Sequence, residues 1–228
     1  MNDQQPIRLN KFLALALGTS RRQADELIAK KRVRINDEVA IIGARVTPSD
    51  AIAVDGKSVA HDTAYVYLTL HKPVGYVCSR KQQGDSPTIY GLLPSKYHTL
   101  KPVGRLDRDS SGLILLTNDG DFALKMTHPR YTKVKRYEVT LDHALEPLHH
   151  QMISDFGINL EDGKSQLGLE RIDDARLEWV VTMSEGRNRQ IRRTFAALGY
   201  TVKRLHRTNL GVYALADLAP GDHRTETP

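Results

Sequence analysis

The chain contains one cysteine, Cys78, and one tryptophan, Trp179, in 228 residues. A single cysteine excludes an intramolecular disulfide and suits a reducing compartment, so a cytoplasmic protein is expected. The same scarcity, with no paired-histidine spacing, argues against a zinc site. The longest apolar run, residues 12–17, is far shorter than the roughly 20 residues a spanning helix needs. The first residues, Met-Asn-Asp-Gln-Gln-Pro, lack the basic start and apolar core of a signal peptide. Internal repeats and low-complexity tracts are missing. Acidic residues are missing between positions 186 and 209, a stretch that carries Arg187, Arg189, Arg192, Arg193, Lys203, Arg204 and Arg207.

The remaining composition is that of a globular protein able to bury a sizeable core, with 40% hydrophobic and 26% charged residues. A net charge of +6 and an isoelectric point near 9.4 point to an acidic partner, most commonly nucleic acid. Residues 1–60 read as a small module. Leu9, Phe12, Leu13 and Leu17 recur at helical spacing, and Gly18 ends that helix. Ser20 and Gln23 have capping-box spacing for a second helix with Ala24, Leu27 and Ile28 on its apolar face. Short strands follow around residues 33–35, 39–42 and 52–54. Residues 61–64 are aperiodic and read as a linker, and residues 65–228 as the main domain. There the pattern predicts strands over 65–70, 113–116, 134–141, 176–183 and 201–205. Helices are predicted over 121–127, capped by Asp121, over 145–155, and over 190–198, ended by Gly199. Residues 79–91 read as a surface loop. Strands and helices mix without a βαβ repeat, so the expected class is α+β.

Residues 104–120 hold most of the chemistry. Asp107 and Asp109 stand beside Arg105 and Arg108, bracketed by Gly104 and Gly112, and the loop runs straight into the apolar stretch from Leu113 to Leu116. Charge next to a core strand must be paired or used. The spacing of Asp107, Asp109 and Ser111 imitates half a calcium loop, but Asn118 replaces the bidentate glutamate and no flanking helices are expected. The Gly56-Lys-Ser and Gly163-Lys-Ser triplets lack the earlier glycine of a phosphate loop. A carboxylate in a basic pocket remains, either Asp107 or Asp109, kept ionised by a neighbouring cation for which Arg192 is the candidate. Tyr137 could pack on a nucleobase or simply belong to an amphipathic strand. Arg21 and Arg22 sit in the first turn of a helix, where the dipole disfavours cations. With Lys11 and the 30–34 run they suit phosphate contact. Lys125, Arg130, Lys133, Lys135 and Arg136 form a second basic cluster, consistent with a groove for a polyanion.

Four blocks resemble the RNA pseudouridine synthases, in particular the ribosomal-RNA branch typified by RsuA and RluB. They are Leu70-His-Lys-Pro-Val-Gly75, the 104–120 stretch, Lys135-Arg-Tyr-Glu-Val139 and Glu185-Gly-Arg-Asn-Arg-Gln-Ile-Arg-Arg193. The first module, with Arg8-Leu-Asn-Lys-Phe12 and Ser20-Arg-Arg-Gln-Ala24, resembles the alpha-L type RNA-binding module of a ribosomal small-subunit protein. The resemblance implies a catalytic domain built on a mixed, mainly antiparallel sheet flanked by helices, and no metal or organic cofactor. It implies a catalytic set of Asp107, Tyr137 and Arg192, with Tyr137 stacking on the target base and open to a part in proton transfer, Arg192 paired with Asp107, and Leu205 lining the pocket. Arg105, Arg187 and Arg189, with Arg21 and Arg22 of the first module, are the expected RNA contacts. The implied reaction is isomerisation of a uridine in ribosomal RNA, free or in a pre-ribosomal particle. The Arg-Asn-Arg-Gln block leans to large-subunit RNA, with small-subunit RNA the alternative. A monomer with no membrane contact is expected. Ser110 and Thr194 depart slightly from the family pattern.

Overall fold

The computed structural model describes residues 6–60 and 64–227. The linker expected at 61–64 lies, but for Ala64, outside the described residues. The chain divides into two compact units, with the division between Tyr65 and Val66.

In the first unit, β1 (Ile7–Arg8) leads into α1 (Leu9–Ala16), and α2 (Arg21–Ala29) follows. The expected capping box closes: the Ser20 hydroxyl accepts from the Gln23 backbone N–H at 3.2 Å, and the Gln23 side chain accepts from the Ser20 N–H at 2.9 Å. Strands β2 (Val33–Ile35), β3 (Glu38–Val39), β5 (Ile52–Val54) and β6 (Lys57–Ser58) form a small antiparallel sheet, and β4 (Arg45–Val46) pairs with β1. Leu9, Phe12, Leu13, Ala24, Ile28, Val33, Val46 and Ile52 form its core. The strand expected at 39–42 is shorter, because Ile41 and Ile42 project into solvent.

The second unit is α+β. Its strands are β7 (Tyr67–Lys72), β8 (Lys101–Val103), β9 (Ser111–Thr117), β10 (Lys135–Leu141), β11 (Ile158–Leu160), β12 (Gly163–Ser165), β13 (Gly168–Arg171), β14 (Glu178–Met183), β15 (Val202–Leu210), β16 (Tyr213–Ala214) and β17 (His223–Glu226). The main sheet runs β13-β14-β10-β15-β9-β7-β17, with β8 added to β9 and β16 to β15, and β11 and β12 form a separate hairpin. Among the pairings of this sheet only β15–β9 is parallel. The apolar run of β9 is explained by burial on both faces. Leu113 and Leu115 pack with Val103, Met126 and Leu210, while Ile114 and Leu116 pack with Leu68, Leu70 and Leu100.

Several boundaries differ from the sequence reading. Asp119, rather than Asp121, caps α3 (Gly120–Thr127), its carboxylate accepting from the N–H groups of Asp121 and Phe122. The helix expected over 145–155 is α4 (Pro147–Gln151) followed by a π turn through Phe156. The last helix, α5 (Gln190–Ala196), stops just short of Gly199. The strand expected to end at Leu205 continues to Leu210, and β17 adds an edge beyond it.

Candidate active site

The charged loop joins β8 to β9 and is supported from behind by the Leu70–Gly75 block. Lys72 is wholly buried, and its ammonium donates to the carbonyls of Ser110 (2.6 Å), Pro73 (3.0 Å) and Arg108 (3.5 Å). The Gly75 N–H donates to the Arg108 carbonyl at 2.7 Å. Burial holds the Lys72 ammonium down to about 8, against the pull of Asp107 and Asp109. The loop ends at Gly112, which lies against β15. A Cβ there would sit 2.2 Å from the Arg207 carbonyl oxygen, and its φ is +108°. Only glycine permits this parallel contact.

From the other side, the turn before α5 reaches the loop. Arg189 has left-handed backbone geometry (φ 46°, ψ 31°). Its guanidinium donates to both Asp109 carboxylate oxygens at 3.0 and 3.1 Å and lies 3.5 Å from the Asp107 carboxylate. Arg192 donates to the Asp109 carbonyl at 2.9 Å and the Val202 carbonyl at 2.7 Å, with its Nε 3.4 Å from the Asp109 carboxylate. The expected Arg192–Asp107 pair is therefore not formed. The side chain is spent on the backbone of the next residues and of β15, and Arg189 is the cation beside Asp107. Hydrogen bonds from Arg189, opposed by partial burial and aided by the Arg192 charge, hold Asp109 below the usual carboxylate range. Burial lowers Arg192 from its ordinary value.

The 186–209 stretch, acid-free in sequence, is largely compensated in the fold by acids from elsewhere. Asp162, between β11 and β12, accepts from Arg187 and, at 3.0 and 2.7 Å, from Arg193. Glu138 pairs with Arg204 at 3.0 Å. Arg187 also donates to the carbonyls of Asp162, Gly163 and Lys164, so its guanidinium clamps a hairpin beside the cavity. Gln190 is buried and donates to Ser165 at 3.0 Å and to Glu185. Thr194 bonds Ser165 at 2.7 Å and the Gln190 carbonyl at 2.9 Å, which accounts for a hydroxyl at an otherwise apolar position.

These parts surround one cavity of about 380 Å³. Asp107, Tyr137, Leu205, Arg105, Arg187 and Arg189 all line it, and Arg192 does not. Tyr137 and Leu205 project from β10 and β15, and Tyr137 faces Arg207 across the pair. A bulge in β15 beside Tyr137 brings Leu210 opposite Lys135, so Arg207 and Leu210 both turn to the cavity. Arg207 and Lys135 are lining residues that the sequence places only in general basic clusters. Arg21 and Arg22 belong to the other unit, where both are exposed, with Arg21 donating to Asn10 at 3.2 Å. Among the described residues no group of three or more His, Cys, Asp or Glu side chains is placed to share a metal ion, and no helix is long and apolar enough to cross a membrane.

The chain matches known proteins along nearly its whole length. Residues 66–197 match the family model described as RNA pseudouridylate synthase, and residues 7–52 match the S4 domain. The ribosomal small subunit pseudouridine synthase A of Yersinia pestis is 38% identical over 97% of this chain and 95% of its own length. The ribosomal large subunit pseudouridine synthase B of Bacillus subtilis is 37% identical over 97% of this chain and 92% of its own. A solved structure titled as a pseudouridylate synthase is 35% identical, covers 97% of this chain and 96% of its own, and superposes with a TM-score of 0.68. With its S4 domain, charged loop and the cavity they lead to in sequence order, the chain belongs to the RNA pseudouridylate synthase family and is an isomerase of that family.

Proposed function

We propose that this enzyme converts a uridine of large-subunit ribosomal RNA to pseudouridine, with Asp107 as the catalytic carboxylate. The observation that carries the catalytic assignment is the convergence of Asp107, Tyr137 and Leu205, distant in sequence, on one cavity, and the large-subunit target rests on the Arg-Asn-Arg-Gln block. A base stacked in RNA cannot rotate, so the nucleotide must be flipped out before N1 is detached from ribose and C5 attached. Tyr137 then supports the base, Leu205 packs against it, and Asp107 engages the reacting nucleoside beside the Arg189 cation. Arg192 acts through the loop backbone as a positioning residue. RNA seated over the open cavity would limit water, which would divert isomerisation to cleavage. Arg105 sits at the cavity wall to meet the RNA, and Arg21 and Arg22 of the S4 domain contact phosphates. The protein acts as a cytoplasmic monomer on free ribosomal RNA or an assembly intermediate.

Small-subunit RNA is the second reading, since the 38% identity to a small-subunit enzyme matches the 37% to a large-subunit one. Tritium release from RNA carrying 5-tritiated uridine, with free base measured alongside, tests the reaction. Isomerisation releases label without free base, hydrolysis gives free base, and a binding protein gives neither. Mapping pseudouridines in both ribosomal RNAs of a deletion strain decides the subunit.

A further inference from the structure

Apart from exposed Arg105 at the cavity wall, two cations lining the cavity remain outside the pairings described above. Arg207 is 3% exposed, and its Nε donates to the Leu113 carbonyl at 2.8 Å. Its Nη2 is buried without a hydrogen-bond partner. Half-buried Lys135 stands on the next strand, and its ammonium is held only at 3.1 to 3.5 Å by the carbonyls of Glu185, Lys133 and Ser184. The neighbouring Glu185 carboxylate is turned to Gln190 and Arg187. Burial first, and Arg207 second, lower Lys135 from the ordinary lysine value, with Glu185 opposing them. Two like charges are thus gathered in a partly desolvated site, an arrangement that an anion would complete.

Placement says which anion. Arg207 lies directly across from Tyr137, and Lys135 is two residues along the same strand face. Two strand residues span roughly 7 Å, about the distance from a nucleobase to its own phosphate. Asp107 and Arg189 line the same cavity and form its acidic, paired part.

We propose that Arg207 and Lys135 form a phosphate subsite that holds the backbone phosphate of the uridine whose base packs on Tyr137. The proposal rests on the uridine-isomerase reading. It adds to that reading the residues that read the nucleotide's charge inside the cavity, in addition to any contacts on the outer RNA path. Arg207 supplies a guanidinium N–H already stripped of water, and Lys135 supplies a mobile point charge.

The test is protection of Lys135 from amine acylation in the full-length protein. A limiting acylating reagent is applied alone and with uridine 3′-monophosphate, uridine 5′-monophosphate, inorganic phosphate or uridine, and each lysine is quantified by peptide mass spectrometry. A nucleotide at about ten times its dissociation constant leaves roughly a tenth of sites free, so Lys135 labelling falls about tenfold. Exposed Lys203 and Lys164 should be unchanged. The two nucleotides distinguish which side of the ribose the phosphate occupies. Protection by inorganic phosphate alone at the same concentrations would support the anion site, whereas uridine should give none. In Arg207→Lys, checked for folding by circular dichroism, nucleotide protection should weaken several-fold. Equal Lys135 labelling with and without every phosphate, or protection by uridine matching that by the nucleotides, would overturn the subsite. The outcome is independent of turnover. A wild-type protein inactive in tritium release sinks the isomerase reading even if Lys135 is protected, and an active one leaves that reading intact if Lys135 is not.

Discussion

Replacing Lys72 by Met should separate stability from activity. In the fold the ammonium is wholly buried and donates to the Ser110 and Arg108 carbonyls of the loop that carries Asp107 and to the Pro73 carbonyl beside it. Burial brings it from the ordinary 10.5 to about 8. Between those values the unfolded chain holds the proton and the folded chain has released it, so raising the pH favours the fold. The difference between 10.5 and about 8 corresponds to about 3 kcal/mol. Below pH 8 that is the cost of keeping the charge buried, and above 10.5 it has vanished. Lys72→Met removes the cost but leaves the Ser110 and Pro73 carbonyls without their donor, at about 1 to 3 kcal/mol each. The Arg108 carbonyl keeps the Gly75 N–H. Near neutral pH the two effects nearly cancel. The unfolding free energy of wild type relative to Lys72→Met, from urea titrations, should therefore rise by about 3 kcal/mol from pH 7 to pH 10.5. Turnover should move the other way, because only the ammonium gathers the three carbonyls. Wild-type activity should fall above pH 8 and the variant should be low throughout. A stability difference independent of pH would refute the burial argument. Full activity in Lys72→Met would refute the role of the ammonium in shaping the loop.

Other substitutions address the remaining interactions. Arg192→Ala leaves the Asp109 and Val202 carbonyls without its guanidinium while the Asp109 carboxylate keeps Arg189, and should cost about 2 to 3 kcal/mol in stability and at least tenfold in turnover. Arg193→Ala removes a pair to exposed Asp162 and an exposed bond to the Asn188 carbonyl and should cost about 1 kcal/mol; equal effects would remove the distinction. Gly112→Ala places a Cβ 2.2 Å from the Arg207 carbonyl oxygen and should destabilise the fold severely, read as a lowered thermal midpoint. Replacing Arg21 and Arg22 by Ala should weaken binding to structured ribosomal RNA and lower its salt slope by about 0.7 to 0.9 for each phosphate that is no longer neutralised. An unchanged slope would place recognition outside these side chains.

What the sequence can reveal follows from the range of each interaction. The Ser20–Gln23 capping box is local, and it forms as its spacing predicts. The Asp107 loop and its glycines are contiguous, and they end against the cavity. The partners of the 186–209 arginines lie as many as 94 residues away. An acid-free stretch therefore reads as uncompensated when Asp109, Asp162 and Glu138 in fact compensate much of it. The same distance hides the exchange of Arg189 for Arg192 beside Asp107, since both cations lie in one short block. The β15 bulge that turns Arg207 and Leu210 to the cavity depends on pairing with β10, which no window of residues reports. Strand β17 is illegible in the sequence because its four residues, of which none is fully buried, lack apolar alternation. Arg187 reads as an RNA contact in the sequence, and no window of residues reports that its donors also hold the β11–β12 hairpin.

The most direct test is Asp107→Asn in a single-turnover tritium-release assay, with RNA affinity measured on the same preparation. Amide and carboxylate are nearly equal in size, but the amide is neither nucleophile nor base. Label release should be abolished while RNA binding stays close to wild type, and Asp109→Asn, which weakens the Arg189 and Arg192 pairings, should have the milder effect. Retained turnover in Asp107→Asn, or a greater loss in Asp109→Asn, would contradict the assignment of Asp107 as the catalytic carboxylate.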